Sequence, residues 1–226
     1  MNALLAPTIS QGNSKDYMAY PLFDYHAMHK QDSLMATISQ YPPELLAILG
    51  TLNISDTEGQ TMMQHISANK ACAGSDGSVK DGIGGHSFCI TDNLFTRQLW
   101  GHATTVGTCS EMSSLRAEHG GALAILLVLY ALQLHFPTFP LPVNLDIWID
   151  NSEVVRRGKT SLPKMGIKQQ LILDHDLWAT TQRLSQEIQC TIRWKWVKGH
   201  QTQHQGKKME SRSRNQQLLQ WPCRRS

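Results

Sequence analysis

The sequence feature that most constrains the fold is an apolar run from Ala122 to Leu134, interrupted only by Gln133. A helix that crosses a membrane needs about 20 consecutive apolar residues, so this shorter run predicts a helix buried in a protein core. Ser113 or Ser114 is a suitable N-cap, which predicts a helix from about Ser114 to Leu134. Apolar residues make up 41% of the chain, enough to enclose such a helix. We expect no membrane partner.

Strand patterns lie on both sides of this helix. Three precede it, and two follow it with a second helix between them. The predicted elements are strands at Lys70–Ser75, His86–Thr91 and Arg97–Thr104, the long helix, a strand at Leu145–Asp150, a helix from Asp174 or Asp176 to Ile188, and a strand at Thr191–Val197. Strand, helix, strand, helix, strand after an antiparallel meander predicts an α/β fold, with a mixed five-stranded sheet and helices packed on it.

Composition divides the chain into three zones. Residues 1–65 have weak periodicity and form a poorly defined N-terminal linker, apart from a short helix predicted from Pro43 to Gly50. Residues 66–200 carry the predicted sheet, and residues 201–226 form a basic tail that we expect to be disordered. From Arg193 onward the net charge is +8, against −5 for residues 1–192. This asymmetry favours contact with a nucleic acid or another polyanion, although a solvated tail without a partner has the same composition.

The chain has five cysteines and no CxxC pair. A chain of 226 residues does not need disulfides for stability, so we expect reduced thiols and an intracellular location, in cytoplasm or nucleus rather than secreted.

Three acidic residues fall at one edge of the predicted sheet. Asp76 and Asp150 end two strands, and open α/β sheets build their sites at such ends. Glu118 shares the apolar stripe of the long helix with Ala122 and Ile125, where an unpaired carboxylate is costly unless a cation accompanies it. Each acid also has a separate structural explanation: a turn aspartate, a glutamate at a helix N-terminus, and a helix cap. Those explanations do not account for the common edge.

At this point the pattern resembles the ribonuclease H family, in particular the RNase H-like domains of reverse transcriptase-associated retroelement polyproteins. Four blocks in the family's order carry the likeness. They are SDGSVKDGIGG (75–85), SSLRAEHGGALAIL (113–126), LDIWIDNSEVVRRG (145–158) and IRWKWVKGH (192–200). The resemblance implies an RNase H-like sheet over residues 66–200.

The resemblance also implies a metal-dependent endonuclease that hydrolyses the RNA strand of RNA–DNA hybrids. Asp76, Glu118 and Asp150 match the family's catalytic carboxylates and would hold two Mg²⁺ or Mn²⁺ ions, with Asp76 bridging them. His200, in WVKGH, matches the mobile histidine that assists product release or proton transfer.

The implied partner is an RNA–DNA hybrid, which such proteins grip by phosphate and 2′-hydroxyl contacts. The candidate basic contacts are Lys80, Arg156, Arg157 and Lys198. Trp148, Trp194 and Trp196 occur at strand spacing, which favours core packing over base stacking.

The sequence departs from the family after His200, where the fourth carboxylate is expected. Glu210 is the sole acid there, in a segment without an apolar face, so we do not expect it to be a ligand. A truncated or frame-shifted C-terminus is one explanation. The second ion would then be held less tightly and activity weakened or lost. The alternatives are a non-catalytic nucleic-acid-binding remnant of a retroelement RNase H domain, a relic or interaction scaffold without nucleic-acid binding, and an integrase-like strand transferase.

Overall fold

The computed structural model describes residues 23–54, 59–94, 98–107, 111–139, 144–160 and 174–198, which form a six-stranded sheet with helices packed on it. The strands are β1 (Thr51–Ile54), β2 (Ala71–Lys80), β3 (Ile83–Asp92), β4 (Gln98–Thr104), β5 (Asn144–Ile149) and β6 (Thr191–Trp196). The helices are α1 (Leu34–Ile38), α2 (Pro43–Leu49), α3 (Gln60–Ser67), α4 (Ser114–His135), α5 (Ser152–Lys159) and α6 (His175–Glu187).

The spatial order of the strands is β1-β4-β3-β2-β5-β6. Strands β2, β3 and β4 form the expected antiparallel meander, while β5 runs parallel to β2 and β6 runs parallel to β5. The predicted α/β class with a mixed sheet is therefore confirmed. The sheet has one strand more than the five expected, because β1 pairs antiparallel with the outer edge of β4.

The hairpin between β2 and β3 is tighter than the glycine-rich sequence suggested. We expected a turn throughout SDGSVKDGIGG, but the ladder continues to the pair Lys80↔Ile83. The turn is confined to Asp81 and Gly82, whose φ angles of 53° and 76° suit a two-residue hairpin turn. Asp76 consequently lies within β2 and not at its end. The parallel ladder between β2 and β5 ends at the pair Ser75↔Ile149, so Asp76 is the next residue of β2 after that ladder.

Helix α4 is the centre of the core and packs on β2 and β3. Ser113 caps it, since its side chain accepts a hydrogen bond from the backbone N–H of Arg116 at 3.0 Å. The helix is apolar on all sides, and protein covers nearly its whole length. Its length and composition would also suit a membrane span, but 89% of the relevant window is buried here.

The segment before β2, expected to be irregular apart from one short helix, contributes α1, α2, α3 and β1. Its side chains belong to the same hydrophobic core as the sheet, with Leu34 and Ile48 fully buried. Tyr41 Oη donates a hydrogen bond to the carbonyl of Leu127 in α4 at 2.7 Å. The division at residue 65 stays a prediction, but the described part of this segment is packed on the sheet domain.

Among the described cysteines, Cys72 differs from the expected reduced state. Cys72 is disulfide-bonded, whereas reduced thiols were expected throughout. Cys89 and Cys190 are free, and burial raises the pKa of the Cys89 thiol to about 12.

Candidate functional site

Three carboxyl groups converge at one place on the sheet. One oxygen each from Asp76, Glu118 and Asp150 lies within 4.8 Å of the others. Asp76 is exposed, Asp150 is half-buried and Glu118 is 3% exposed, so the cluster runs from the surface into the protein. The structure therefore brings together the three acids that the sequence placed at one edge.

Strand register brings the two aspartates together. The parallel ladder between β2 and β5 ends at the pair Ser75↔Ile149. Asp76 and Asp150 are the next residues on these neighbouring strands, which lie about 4.8 Å apart in any sheet. Two carboxyl groups separated by 74 positions thus become neighbours.

A glycine lets Glu118 reach them. A Cβ atom on Gly77 would lie 2.5 Å from the backbone nitrogen of Glu118 and 2.6 Å from the carbonyl carbon of Ala117. Only a residue without a side chain allows β2 to approach the start of α4 this closely. At this contact the Gly77 N–H donates a hydrogen bond to Glu118 Oε1 at 2.9 Å, which fixes the direction of the carboxyl group.

The environment of Glu118 disfavours a bare negative charge. Burial, a hydrogen bond with the Asp150 carboxyl, and the nearby charges of Asp150 and Asp76 raise its pKa to about 10, although the Gly77 N–H opposes the shift. The second oxygen, Oε2, is buried and accepts no hydrogen bond from the described residues. Such a carboxyl group is stabilised either by a proton or by a cation.

The donor set fits a divalent cation. Three carboxylate oxygens at this spacing are the hard ligands that Mg²⁺ and Mn²⁺ prefer, and the buried Oε2 of Glu118 has its lone pairs available for one. The three carboxyl groups could therefore hold a metal ion. The identity of that ion does not follow from the geometry.

The backbone at Asp150 is held from the neighbouring strand. Trp196 Nε1–H donates a hydrogen bond to the carbonyl of Asp150 at 3.0 Å. Next along the chain, the side chain of Asn151 accepts hydrogen bonds from the backbone N–H groups of Glu153 and Val154 and caps α5. The alternative in which Asp150 caps that helix is therefore wrong, because Asn151 does so.

The three tryptophans divide between core and surface. Trp194 is buried against Gly158, where a Cβ would lie 2.5 Å from the indole, and Trp148 is half-buried. Trp196 is 53% exposed, so core packing is wrong for this residue. It ends the edge strand β6, whose outer side has no neighbouring strand among the described residues.

The four basic residues proposed as phosphate contacts differ in their exposure to solvent. Lys80 and Lys198 are exposed, and Arg156 is exposed while paired with Glu153 at 2.7 Å. Arg157 is 5% exposed, with its Nε donating to Glu153 at 2.8 Å and its guanidinium 5.5 Å from the centre of the Trp178 ring. Arg157 is thus buried between α5 and α6 and packs there, while its role as a phosphate contact stays a prediction.

Two positions discussed from the sequence lie outside the described residues. His200 and Glu210 fall in the segment after residue 198, so their roles stay predictions.

The sequence reasoning missed a buried ionic cluster beside the site. Arg116, two residues before Glu118, forms ion pairs with Asp174 at 3.1 Å and Asp176 at 2.8 Å. Both aspartates were noticed only as possible starts of α6. An arginine among apolar residues at the start of a buried helix was the available signal, but nothing local in the sequence indicates its partners.

No protein-family model and no curated protein matches the chain. Among solved structures, it is similar to the N-terminal RNase H domain of Rv2228c from Mycobacterium tuberculosis, with 15% identity, a TM-score of 0.40, and coverage of 56% of this chain and 81% of that one. LC11-RNase H1 in complex with an RNA/DNA hybrid gives 16% identity, a TM-score of 0.39, and coverage of 56% and 86%. RNase H1 from the archaeon Halobacterium salinarum NRC-1 gives 14%, 0.38, and coverage of 56% and 84%. These values describe a distant likeness and do not assign the chain to a family.

Proposed function

We propose that the chain is a divalent-metal-dependent nuclease that hydrolyses the RNA strand of RNA–DNA hybrids. The observation that carries the proposal is the convergence of Asp76, Glu118 and Asp150 within 4.8 Å. These are the same three residues that the four sequence blocks align with the catalytic carboxylates of RNase H-like domains. Two independent arguments, one from sequence blocks and one from geometry, therefore select the same acids.

Each acid has a distinct place in the proposed chemistry. A bound Mg²⁺ or Mn²⁺ would supply an activated water and would neutralise charge that develops on the scissile phosphate. Asp76 is exposed and lies where a backbone phosphate can approach. Glu118, the most buried of the three acids, would be a ligand of that ion, and the Gly77 N–H holds its carboxyl group in place. Asp150 is half-buried, and the Trp196 indole fixes its backbone through a hydrogen bond to its carbonyl.

Two exposed lysines are the candidate contacts for a polyanionic substrate. Lys80 follows Asp76 on the same hairpin and Lys198 follows Trp196, and both side chains are exposed. Basic side chains around a carboxylate site attract a phosphate backbone in a salt-dependent way. The preference for a hybrid comes from the sequence resemblance and would depend on contacts with 2′-hydroxyl groups.

The proposal is tested with the purified chain, Mn²⁺ and a hybrid labelled on either strand. We expect the RNA strand to be cut, and we expect Asp76→Asn or removal of metal with EDTA to abolish the cut. Asp81→Asn is the matched control, because Asp81 is a turn residue at φ 53°, a conformation that asparagine also adopts. Cutting that survives Asp76→Asn would exclude this site as its source.

A second candidate function is hybrid binding without cleavage. It is favoured by the absence of any aspartate after His200 and by the setting of Glu210, the one acid there. In that case the chain would bind the hybrid with an affinity that falls as salt rises, and no metal would produce a cut. Binding measured with the Asp76→Asn variant alongside the cleavage assay separates the two functions.

A further inference from the structure

Arg116 is an arginine enclosed in the core. It is 3% exposed, and its side chain bonds to two other parts of the chain. Nε donates to the carbonyl of Val106 at 2.7 Å, Nη1 donates to Asp174 at 3.1 Å, and Nη1 and Nη2 together hold Asp176 at 3.0 and 2.8 Å. Gly107 leaves room for the Arg116 side chain, since a Cβ on residue 107 would lie 2.7 Å from Nε of Arg116. The guanidinium therefore ties the connection after β4 to the starts of α4 and α6.

Burying this ionic cluster costs hydration free energy, so the cluster is an inefficient way to stabilise a fold. A cation near a helix N-terminus opposes the helix dipole, and burying it requires partners that recover the lost hydration. Well-packed apolar residues often give equal or greater stability in such positions. The guanidinium donates several hydrogen bonds in fixed directions. These bonds fix the orientation of the helix that carries the arginine.

The orientation fixed here is that of the start of α4. Residues two positions apart on a helix point about 200° away from each other, so Arg116 and Glu118 project to opposite sides. With Arg116 held toward α6, Glu118 is directed toward β2, where the Gly77 N–H meets its carboxyl group. A rotation of the first turns of α4 would break the ionic cluster and move Glu118 out of the carboxylate site together.

We propose that Arg116 is a positioning residue, which sets the direction of Glu118 through its bonds with Val106, Asp174 and Asp176. The inference rests on the proposed metal-dependent function for its consequence, but the placement of Glu118 can be measured without metal. Arg116 projects away from Glu118 and acts on the carboxylate site through the helix.

The first test uses hydrogen exchange of single amides in the metal-free protein. Arg116→Met keeps an unbranched apolar stem and removes the guanidinium with its donors. We expect Glu118 then to leave the Gly77 amide without its acceptor, and this amide to exchange at least about tenfold faster. The control is Tyr41→Phe, which removes a buried hydrogen bond to Leu127, more than two helical turns away from Glu118. At a matched loss of global stability, Tyr41→Phe should leave the Gly77 amide as protected as in the parent chain.

The second test is the affinity for Mn²⁺, measured by calorimetry on the same variants. We expect Arg116→Met to weaken binding by about tenfold or more, the range found when residues that orient metal ligands are lost, and Tyr41→Phe to leave it unchanged. If Arg116→Met does not fold, Asp176→Asn weakens the same cluster while preserving its shape.

The outcomes separate this inference from the proposed function. Unchanged Gly77 exchange and unchanged Mn²⁺ affinity in folded Arg116→Met would overturn the positioning role while leaving the metal site intact. A parent chain that binds no Mn²⁺ would overturn the proposed function. In that case, Gly77 exchange alone would still show whether Arg116 places Glu118.

Discussion

At the scale of single residues, the Glu118 carboxyl group favours metal binding and does not favour the stability of the metal-free fold. In Glu118→Gln, the amide oxygen can still accept the Gly77 N–H, and the new NH₂ group can donate to Asp150. Without metal, we expect the variant to be at least as stable as the parent, because the buried Oε2, which has no donor among the described residues, is replaced by an NH₂ group that can donate to Asp150. Mn²⁺ affinity should fall by more than the roughly ten- to hundredfold seen for outer-shell changes.

Thermal unfolding and Mn²⁺ calorimetry check the Glu118 prediction. Glu44→Gln, an exposed glutamate in the first turn of α2, is the control for removing one negative charge. A Glu118→Gln variant that binds Mn²⁺ like the parent would remove Glu118 from the proposed ligand set.

At the scale of elements, the contact between β2 and α4 determines whether the site forms. Gly77→Ala would place a Cβ 2.5 Å from backbone of α4, which has no flexible end to move aside. We expect a loss of about 1–3 kcal/mol in the free energy of unfolding, typical of overpacking, together with weaker Mn²⁺ binding.

Gly85→Ala is the matched control for Gly77→Ala. Gly85 lies on β3, where a Cβ would meet only the Ala103 carbonyl oxygen at 3.8 Å. Urea unfolding of both variants compares them directly. Equal stability of the two would mean that β2 and α4 can separate at little cost.

His86 connects β3 to two other elements and makes the fold sensitive to acid. Its Nε2–H donates to the Ile48 carbonyl at 2.8 Å, and its Nδ1 lies 3.1 Å from the Thr105 hydroxyl, which satisfies the neutral ring. Burial, with a smaller contribution from His102, lowers its pKa from 6.5. In the unfolded chain the His86 ring therefore binds a proton near pH 6.5, whereas in the folded protein it stays neutral at that pH. The free energy of unfolding consequently falls as the pH drops through 6.5.

For His86, we predict that the free energy of unfolding depends on pH differently in the parent chain and in His86→Gln. Between pH 7.5 and about pH 5.5, the parent should lose more unfolding free energy than His86→Gln, which has no group that titrates there. Urea unfolding at several pH values measures both. His119, also buried with a lowered pKa, is present in both proteins and cancels in the comparison. Parallel profiles would contradict the prediction.

At the scale of the whole molecule, the segment before β2 behaves as part of the core. Its buried side chains cover α4, and hydrogen bonds from Tyr41 to Leu127, from Tyr130 to Tyr25 and between Thr37 and His135 join it to that helix. We therefore expect residues 68–226 alone to unfold at lower urea concentration than the full chain or not to fold cooperatively. Each large apolar side chain uncovered costs about 1.5–3 kcal/mol, against a typical total of about 5–15 kcal/mol.

Two neighbouring residues of α1 test the same prediction without truncation. Leu34 is fully buried and Met35 is half-exposed. Leu34→Ala should cost about 2–5 kcal/mol, whereas Met35→Ala should change the stability by less than about 0.5 kcal/mol. A fragment 68–226 as stable as the full chain would instead support an independent domain that begins after the linker.

Much of the fold follows from local pattern. Alternation predicted β5, the apolar run predicted α4, with Ser113 as one of two candidate caps, and the strand-helix order predicted the mixed sheet. The length of β2 was missed, because its glycines and aspartates are typical of turns while the ladder to β3 overrides that preference. Strand β1 was missed for a related reason, since four residues gain strand character only by pairing with β4.

The sequence by itself determined which acids were candidates, because their positions follow from the order and period of the elements. Only the tertiary structure decided which atoms meet: the 4.8 Å carboxylate cluster, the Arg116 pairs with residues 58 and 60 positions away, and the burial of Arg157. Local preferences act over a few residues, whereas these contacts depend on how closely β2, α4, α5 and α6 pack. That packing is a property of the assembled core, where a glycine at 77 and an arginine at 116 acquire their roles.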